Sequence, residues 1–550
     1  MTRKIIAIAA IFIITLSSLA GCGETTNFLN GTTEKEKKTV RSEDVYIPIE
    51  KVRTLNPIVT KDEDAYYLNK LIYEGLFGFD KNLAITNVLA DSYTYAADGT
   101  SITVNLKQGV FWQDGVELTA EDVKFTMDAI AGASYTNSTL YVTNISNVKN
   151  TKLDSKNPYQ ITIYFNNPLN SSLSNFTFPI IPKHQFKNLD AAKKGESGFI
   201  PIGTGIYRVA DYNELSHIIL KENEKYHGDN HPTNTLHFQI IPKKQDAINL
   251  MDVNNISITI SKELDRDTIY TNKKVNVINF PSNEVELIGY NFRNPALKDA
   301  RVRKAIASSI DTEEIIESAY FKNGIQNDTI YFPNFLGINS SKANNLYDIT
   351  KAKSLLKEAG YNDKDGDGLL ENALNETITI NILVNAEDQS RVAAAQIIKE
   401  GLDQLLIRTN IISKDWNGYN SDLVSGNYDL YLGGYQIKEN YDLRFLLHTN
   451  YSNLTGYSNS TLDALLDKME SGISQEDRKA TYAQISEIMT DDLPYYCVLY
   501  KTYGSIVSPT LNGEIRPTFL NLYQGAEKWF MMLEVPGDQE EKTINEAGAY

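Results

Sequence analysis

The sequence predicts a mixed α/β protein, and three stretches carry that reading. In Thr100 to Ile130, Ile102, Val104 and Leu106 alternate with Ser101, Thr103 and Asn105, the period of a half-buried strand. Asp98-Gly99 and Gln113-Asp114-Gly115 supply turns on either side, and Thr119 with Asp122 three positions on forms a capping box for an amphipathic helix through Val123, Met127 and Ile130. Further on, Ser390 to Leu406 has the spacing of a long amphipathic helix, and Tyr428 to Tyr435 is a buried-strand run ending in glycines. Val302, Ile306 and Ile310 define one apolar helical face, with Arg301 and Arg303 placed off it as surface or ion-pairing groups.

A chain of 550 residues is too long for one ordinary core and suggests roughly three or four domain-sized units. Its 42% hydrophobic and 22% charged residues are the balance of a folded, water-exposed protein. A net charge of -17 disfavours nucleic acid and anionic membrane surfaces, both of which need a basic face.

The start of the chain reads as a targeting segment. Arg3 and Lys4 precede an apolar run from Ile5 to Leu16, and Leu19-Ala20-Gly21-Cys22 places small residues at a cleavage point directly before a cysteine. The run is shorter than the roughly twenty residues a spanning helix needs. It is similar to a bacterial lipoprotein signal, so residues 1–21 are expected to be removed and Cys22 to carry lipid. Residues 22–42 read as a disordered tether. Cys497 is then the other cysteine, with no partner for an intrachain disulfide, and its apolar surroundings Tyr495 to Tyr500 make it a buried hydrophobe.

Beyond the tether, Val45 to Ile49 reads as a strand leading to Thr54-Leu55-Asn56-Pro57, and Tyr73-Glu74-Gly75-Leu76 closes a helix. Pro201-Ile202-Gly203-Thr204-Gly205-Ile206-Tyr207 is a turn whose glycines are expected to use positive φ. Asp348 to Tyr361 reads as a helix stopped by Gly360. In Asn362 to Gly368, Asp363, Asp365, Asp367 and Gly368 occupy the first half of an EF-hand-like loop, with Glu371 at the ninth position and Leu374 rather than Glu at the twelfth; a structural calcium site and a solvated turn both remain open. His227, His231 and His237 are separated by Gly228, Asn230 and Pro232, which place them on an exposed loop rather than a metal-binding helix.

The wording from Leu106 through Gly109-Val110-Phe111, Asp114-Gly115 and Leu118 to Phe125, with Asn56-Pro57, the Gly203-Thr204-Gly205 turn, Tyr290-Asn291-Phe292, Asp299 to Ile306 and Ala359-Gly360-Tyr361, resembles the family 5 extracellular solute-binding proteins. These are the peptide, nickel and oligosaccharide receptors of ABC importers. Where the family has an acidic glycine turn, Val253-Asn254-Asn255-Ile256 departs from the pattern.

The resemblance implies a two-lobed periplasmic-binding-protein type II fold: residues 43–286 as the first lobe, with an extra subdomain at about 63–199, residues 287–491 as the second, and residues 492–550 returning to the first. Hinges are expected near Glu284 to Asn291 and Asp492 to Tyr500. It also implies ligand contacts from Trp416 as a pocket wall and from Gly434, Tyr435 and Gln436 along an extended peptide. Where peptide receptors place an aspartate for the ligand's ammonium, this chain has Lys438, leaving Glu439, Asp442 or Glu63 as substitutes. The sequence has no G-x-S-x-G, H-E-x-x-H or P-loop motif, so no enzymatic activity and no resident cofactor beyond the open calcium question is expected. The implied partners are an oligopeptide or other small solute and an ABC permease with its ATPase, the implied state is a monomer, and the implied place is the outer face of the bacterial cytoplasmic membrane. A binder of oligosaccharide or nickel chelate and a peptide-signal sensor are the alternatives.

Overall fold

The computed structural model describes residues 37–135, 139–196, 198–251, 256–266, 274–338 and 347–536. The lipidation site Cys22, the signal segment, the turn at Asn254-Asn255 and the C-terminal tail from residue 537 lie outside them. Residues 41–533 belong to one compact unit, and the described residues 37–40 and 534–536 fall in a second. The tether expected through residue 42 ends sooner, because Lys37–Ser42 is a strand.

The first half of the large unit holds two four-stranded sheets. Strand β1 (Asp44–Ile49) is followed by helix α1 (Glu63–Ile72) and the hairpin β2 (Phe77–Phe79) and β3 (Ile85–Asn87). Then come β4 (Ala90–Tyr95), β5 (Ser101–Leu106), α2 (Ala120–Ser134), β6 (Val148–Leu153) and β7 (Gln160–Phe165), the strands forming an antiparallel sheet in the order β4-β5-β7-β6. The alternation read from the sequence is the burial pattern of β5, whose Ile102, Val104 and Leu106 are buried. The Thr119–Asp122 capping box opens α2. Strands β8 (Tyr207–Asn213), β9 (His217–Glu222) and β10 (Thr235–Ile240) return to pair with β1 in the order β1-β10-β9-β8. One core runs through these elements, including Leu68, Trp112, Ile163, Phe238 and Trp529.

The remaining strands make a larger mixed sheet. In chain order they are β11 (Ile258–Ser261), the long β12 (Asn276–Tyr290), β13 (Thr379–Asn385), β14 (Arg408–Lys414), β15 (Leu430–Gln436) and the long β16 (Tyr495–Val507), arranged β11-β16-β12-β15-β13-β14. Helices α3 (Ala300–Ser308), α4 (Ile349–Glu358) and α5 (Gln389–Gln404) bury one face of its central strands with Ile288, Leu430, Leu432 and Val498. Helices α6 (Trp416–Ser425), α7 (Ser460–Met469) and α8 (Gln475–Asp492) contribute to the other face with Leu287, Tyr431, Cys497 and Tyr500. Burial on both faces explains why Tyr495 to Tyr500 is apolar without alternation. Arg303, placed off the apolar face by its spacing, is buried, because its guanidinium donates to the carbonyls of Asp492 (3.0 Å) and Leu297 (2.6 Å). Arg301 remains exposed and pairs with Asp299 at 2.6 Å.

Strands β12 and β16 belong to both cores. Phe280 and Tyr503 pack in the first core, whereas Val285 and Tyr500 pack in the second. Their ladder breaks between those pairs: Pro281 sits opposite Thr502, the register then shifts, and Val285 sits opposite Tyr500. The crossing therefore lies at Pro281 to Val285 and Tyr500 to Tyr503, at the far end of the expected segment, whose Asp492 closes α8 and whose Tyr495 to Leu499 is core strand of the second lobe. At the second-lobe edge of this crossing Glu286 is buried. It receives Nε and Nη2 of Arg391 at 2.7 and 3.0 Å and lies 3.0 Å from Nζ of Lys501. Burial opposes the carboxylate, but the Arg391 charge and hydrogen bonds and then Lys501 hold its pKa below the usual range.

The glycines at 203 and 205 work by contact rather than by positive φ. Neither has a positive φ. Gly205 donates its N–H to the carbonyl of Ile72 at 2.7 Å, and a Cβ on Gly203 would overlap that same oxygen. This close approach fixes the C-terminal end of α1. Gly203→Ala is expected to lower unfolding free energy by about 1–3 kcal/mol in denaturant titration, the range for overpacking a filled site.

Glu286→Gln leaves two buried cations facing a neutral amide and is expected to cost on the order of 3 kcal/mol at pH 7. Because the folded-state pKa is depressed, the wild-type contribution is present above the unfolded value near 4.3 and is lost as pH falls through the folded one. The variant should therefore show a flatter acid limb in stability measured against pH.

Candidate functional site

Helix α1 has two faces with different tasks. Ala65, Leu68, Leu71 and Ile72 are buried in the first core, while Glu63, Tyr66, Tyr67 and Lys70 recur at the helical spacing that aligns side chains on one stripe. That stripe lines a cavity of about 720 Å³. The first lobe also supplies Tyr141, Asn144, Ser174, Asn175 and Thr177, the crossing supplies Asn283 and Tyr503, the end of β15 and its following loop supply Gln436 to Asn440, and the segment after β16 supplies Phe519 to Asn521. The walls thus come from both lobes and are mainly tyrosine, phenylalanine and amide side chains.

The lobes touch across this space through Glu439. Its Oε1 accepts from the hydroxyl of Tyr66 at 2.5 Å and from Nζ of Lys70 at 2.8 Å, and the Lys70 ammonium lies 4.6 Å from the centre of the Tyr66 ring. Burial, then the Glu439 charge and hydrogen bond, push the Tyr66 hydroxyl far above its usual pKa, so it stays a donor. Tyr67 Oη donates to the carbonyl of Phe519 at 2.8 Å. Glu63 is paired with Lys262, and Glu74 accepts His227 Nε2 at 2.9 Å. Asp442 pairs with Arg444 at 2.7 Å. The exposed Lys438 lines the cavity beside these paired carboxylates.

Of the residues singled out in the sequence, Glu63, Gln436, Lys438 and Glu439 come together in this cavity, and Gly434, Tyr435 and Trp416 do not line it. Gly434 pairs with Glu286 in the ladder between β12 and β15, and any side chain there would meet the guanidinium of Arg391. Tyr435 is half-buried, its ring 5.7 Å from Phe445 and its hydroxyl 3.1 Å from that of Tyr431. Trp416 starts α6, stacks on Tyr419 at 5.9 Å and is 53% exposed. Strand β13 pairs with β15 only at Leu430 and Tyr431. On the β12 side Ile437 donates its N–H to the Asn283 carbonyl at 2.9 Å, and its C=O accepts from the Asn283 side-chain amide at 2.6 Å. By the two-residue alternation of an antiparallel ladder, the main-chain groups of Gly434 and Gln436 point away from β12.

The residues missed from the sequence are those of α1 and the aromatic segments. Tyr66, Tyr67 and Lys70 stood in an otherwise ordinary amphipathic helix, and their polar and aromatic stripe was the signal available. Tyr141, Tyr503 and Phe519 reach the cavity only through tertiary folding. The histidines are not gathered. His227 is partly buried against Glu74 rather than exposed, His231 faces Glu222 and His237 faces Asp44. Cys497 is buried, and burial raises its thiol pKa well above the usual value. Among the described residues no helix is long and apolar enough to cross a membrane.

The fold and sequence have relatives. Over 494 residues the chain is 24% identical to the oligopeptide-binding protein AppA of Bacillus subtilis, covering 86% of this chain and 89% of that protein. The fold is similar to that of the ABC transporter substrate-binding protein CtaP of Listeria monocytogenes, at TM-score 0.67 and 22% identity, over 90% of this chain and all of that one. It is also similar to a nickel ABC transporter protein of Bacillus halodurans, at TM-score 0.72 and 18% identity, over 88% and 98% of the two chains. These likenesses establish the two-lobed type II binding-protein fold. Residues 84–457 match the middle region of family 5 of the bacterial extracellular solute-binding proteins, and the chain belongs to that family.

Proposed function

We propose that this chain captures oligopeptides in the cavity between its lobes and delivers them to the permease of an ABC importer, whose ATPase supplies the energy. The observation that carries this reading is the two-lobed cavity of about 720 Å³, with Asn283 and Tyr503 of the crossing strands and Gln436 at the end of β15 in its lining. An extended peptide can add to the end of such a strand through main-chain hydrogen bonds, while tyrosine rings and amides accept varied side chains. Binding works by population shift, since a ligand that touches both walls only when they approach stabilises the closed arrangement. The Glu439 contact with Tyr66 and Lys70 spans the same opening and favours closure in the same sense. The chain is a lipoprotein in this reading, anchored through Cys22 at the outer face of the cytoplasmic membrane once its signal segment is removed.

Charge narrows the ligand class. Glu439 and Glu63 are each paired with a lysine, so a free ammonium finds no unpaired carboxylate at either, and Lys438 presents a cation instead. The favoured ligand turns a carboxylate, an acidic side chain or a blocked amino end toward Lys438. A nickel chelate is less well supported because the cavity lining, among the described residues, contains neither histidine nor cysteine.

Native mass spectrometry of protein purified from rich medium without refolding should show co-purified peptides, and their fragmentation should show whether their amino ends are free or blocked. Lys438→Glu is expected to weaken acidic or amino-blocked peptides about tenfold, roughly 1.4 kcal/mol, relative to free-amine peptides of the same length. Ligand-free protein that also shows no thermal shift with peptide mixtures would overturn the peptide reading in favour of sugars or chelates.

A further inference from the structure

The acidic loop between α4 and β13 lies in the second lobe, and none of its residues lines the interlobe cavity. Gly360 ends the preceding helical turn at φ +91°, and Gly366 and Gly368 at +79° and +86° curl the loop on itself. Within it Asp363 accepts the N–H groups of Gly366 (2.7 Å) and Gly368 (3.1 Å), Asp365 that of Asp367 (3.1 Å), and Asp367 that of Leu369 (2.9 Å). Oxygens of Asp363, Asp365, Asp367 and Glu371 lie within 4.8 Å of one another.

Glu371 distinguishes this cluster from a solvated acidic turn. It is 4% exposed, and main-chain bonds in both directions with Asn362, at 3.1 and 3.0 Å, pin its backbone. Its Oε2 accepts the N–H of Lys364 at 2.8 Å, while Oε1 is buried without a hydrogen-bond partner. A buried carboxylate oxygen with no donor is unfavourable unless a cation meets it. The loop's own lysine does not, since the Lys364 ammonium reaches outward to the carbonyl of Asn372 at 2.6 Å and to Asn375 Oδ1 at 3.2 Å. Leu374, at the twelfth position, is 76% exposed. The fold-back onto Asn362 thus brings the ninth residue, Glu371, to the cluster where an EF-hand loop would use its twelfth.

We propose that Asp363, Asp365, Asp367 and Glu371 bind one calcium ion. Four carboxylates on a short, glycine-curled loop offer the hard oxygen ligands and adaptable spacing that calcium accepts, whereas magnesium demands a tighter octahedron and keeps more of its water. The ion ties the exit of α4 to the residues that enter β13, where Ile378 donates to the carbonyl of Leu370 at 2.9 Å. It is a structural staple, separate from solute capture.

The test uses the full chain stripped with EGTA. Equilibrium dialysis against CaCl₂ with elemental analysis should give about one calcium per chain, with magnesium binding at least tenfold weaker. Thermal unfolding should shift upward with calcium. Asp365→Asn and Glu371→Gln should each weaken calcium binding by about tenfold or more while circular dichroism is unchanged. Asp365 is exposed and its replacement isosteric, so that variant keeps the test sound if Glu371→Gln disturbs folding. Stripped wild-type protein that binds no calcium at about 5 mM, or a folded Asp365→Asn variant that binds it as tightly as wild type, would overturn the assignment.

Discussion

The antiparallel pairing of β12 with β16 is the constraint on which the rest of the structure depends. Each strand serves the first core at one end and the second core at the other, so the two lobes share a continuous hydrogen-bonded floor. The register shifts twice, between Pro281 and Val285 and again between Glu286 and Leu287, and the first shift coincides with the passage from one core to the other. Glu286 sits one residue beyond the interruption with Arg391 and Lys501 around it. This buried charge, held from two directions, ties the second-lobe end of β12 to α5 and to β16. The cavity lies directly over this region, with Asn283 and Tyr503 in its lining.

Much of the fold was legible because local pattern and tertiary environment agree. The alternation in β5, the capping box of α2, the apolar face of α3 and the glycine stop after α4 each follow from short-range sequence rules. The hinge was displaced because the apolar run of β16 looks alike whether it crosses between lobes or lies within one. Only the ladder register and the division of cores locate the crossing. Arg303 was misjudged for a related reason: a cation on a helix next to an apolar face can turn inward when the carbonyls of a neighbouring helix end need donors.

The candidate site was less legible. Residues near the end of β15 could be placed by resemblance, and Gln436, Lys438 and Glu439 do meet Glu63 in one cavity. Lys70 and Tyr66 could not be inferred as partners of Glu439, because some 370 residues separate them and nothing local marks the pairing. Trp416 is conspicuous as a sequence feature but stands on an exposed helix start, stacked on Tyr419 and outside the lining.

The seat of α1 on the Gly203-Thr204-Gly205 turn has a consequence for how such a receptor can diversify. The helix is held by its last carbonyl and by an apolar underside that includes Tyr67 and packs against Tyr66, whereas the side chains at 63 and 70 take no part in either attachment. Substitutions at 63 and 70 can therefore alter what the wall recognises while the scaffold keeps its position. Shape and preference are inherited separately: descendants of one backbone can exchange cargo at the cost of a few surface codons, with no need to refold the lobe that presents them.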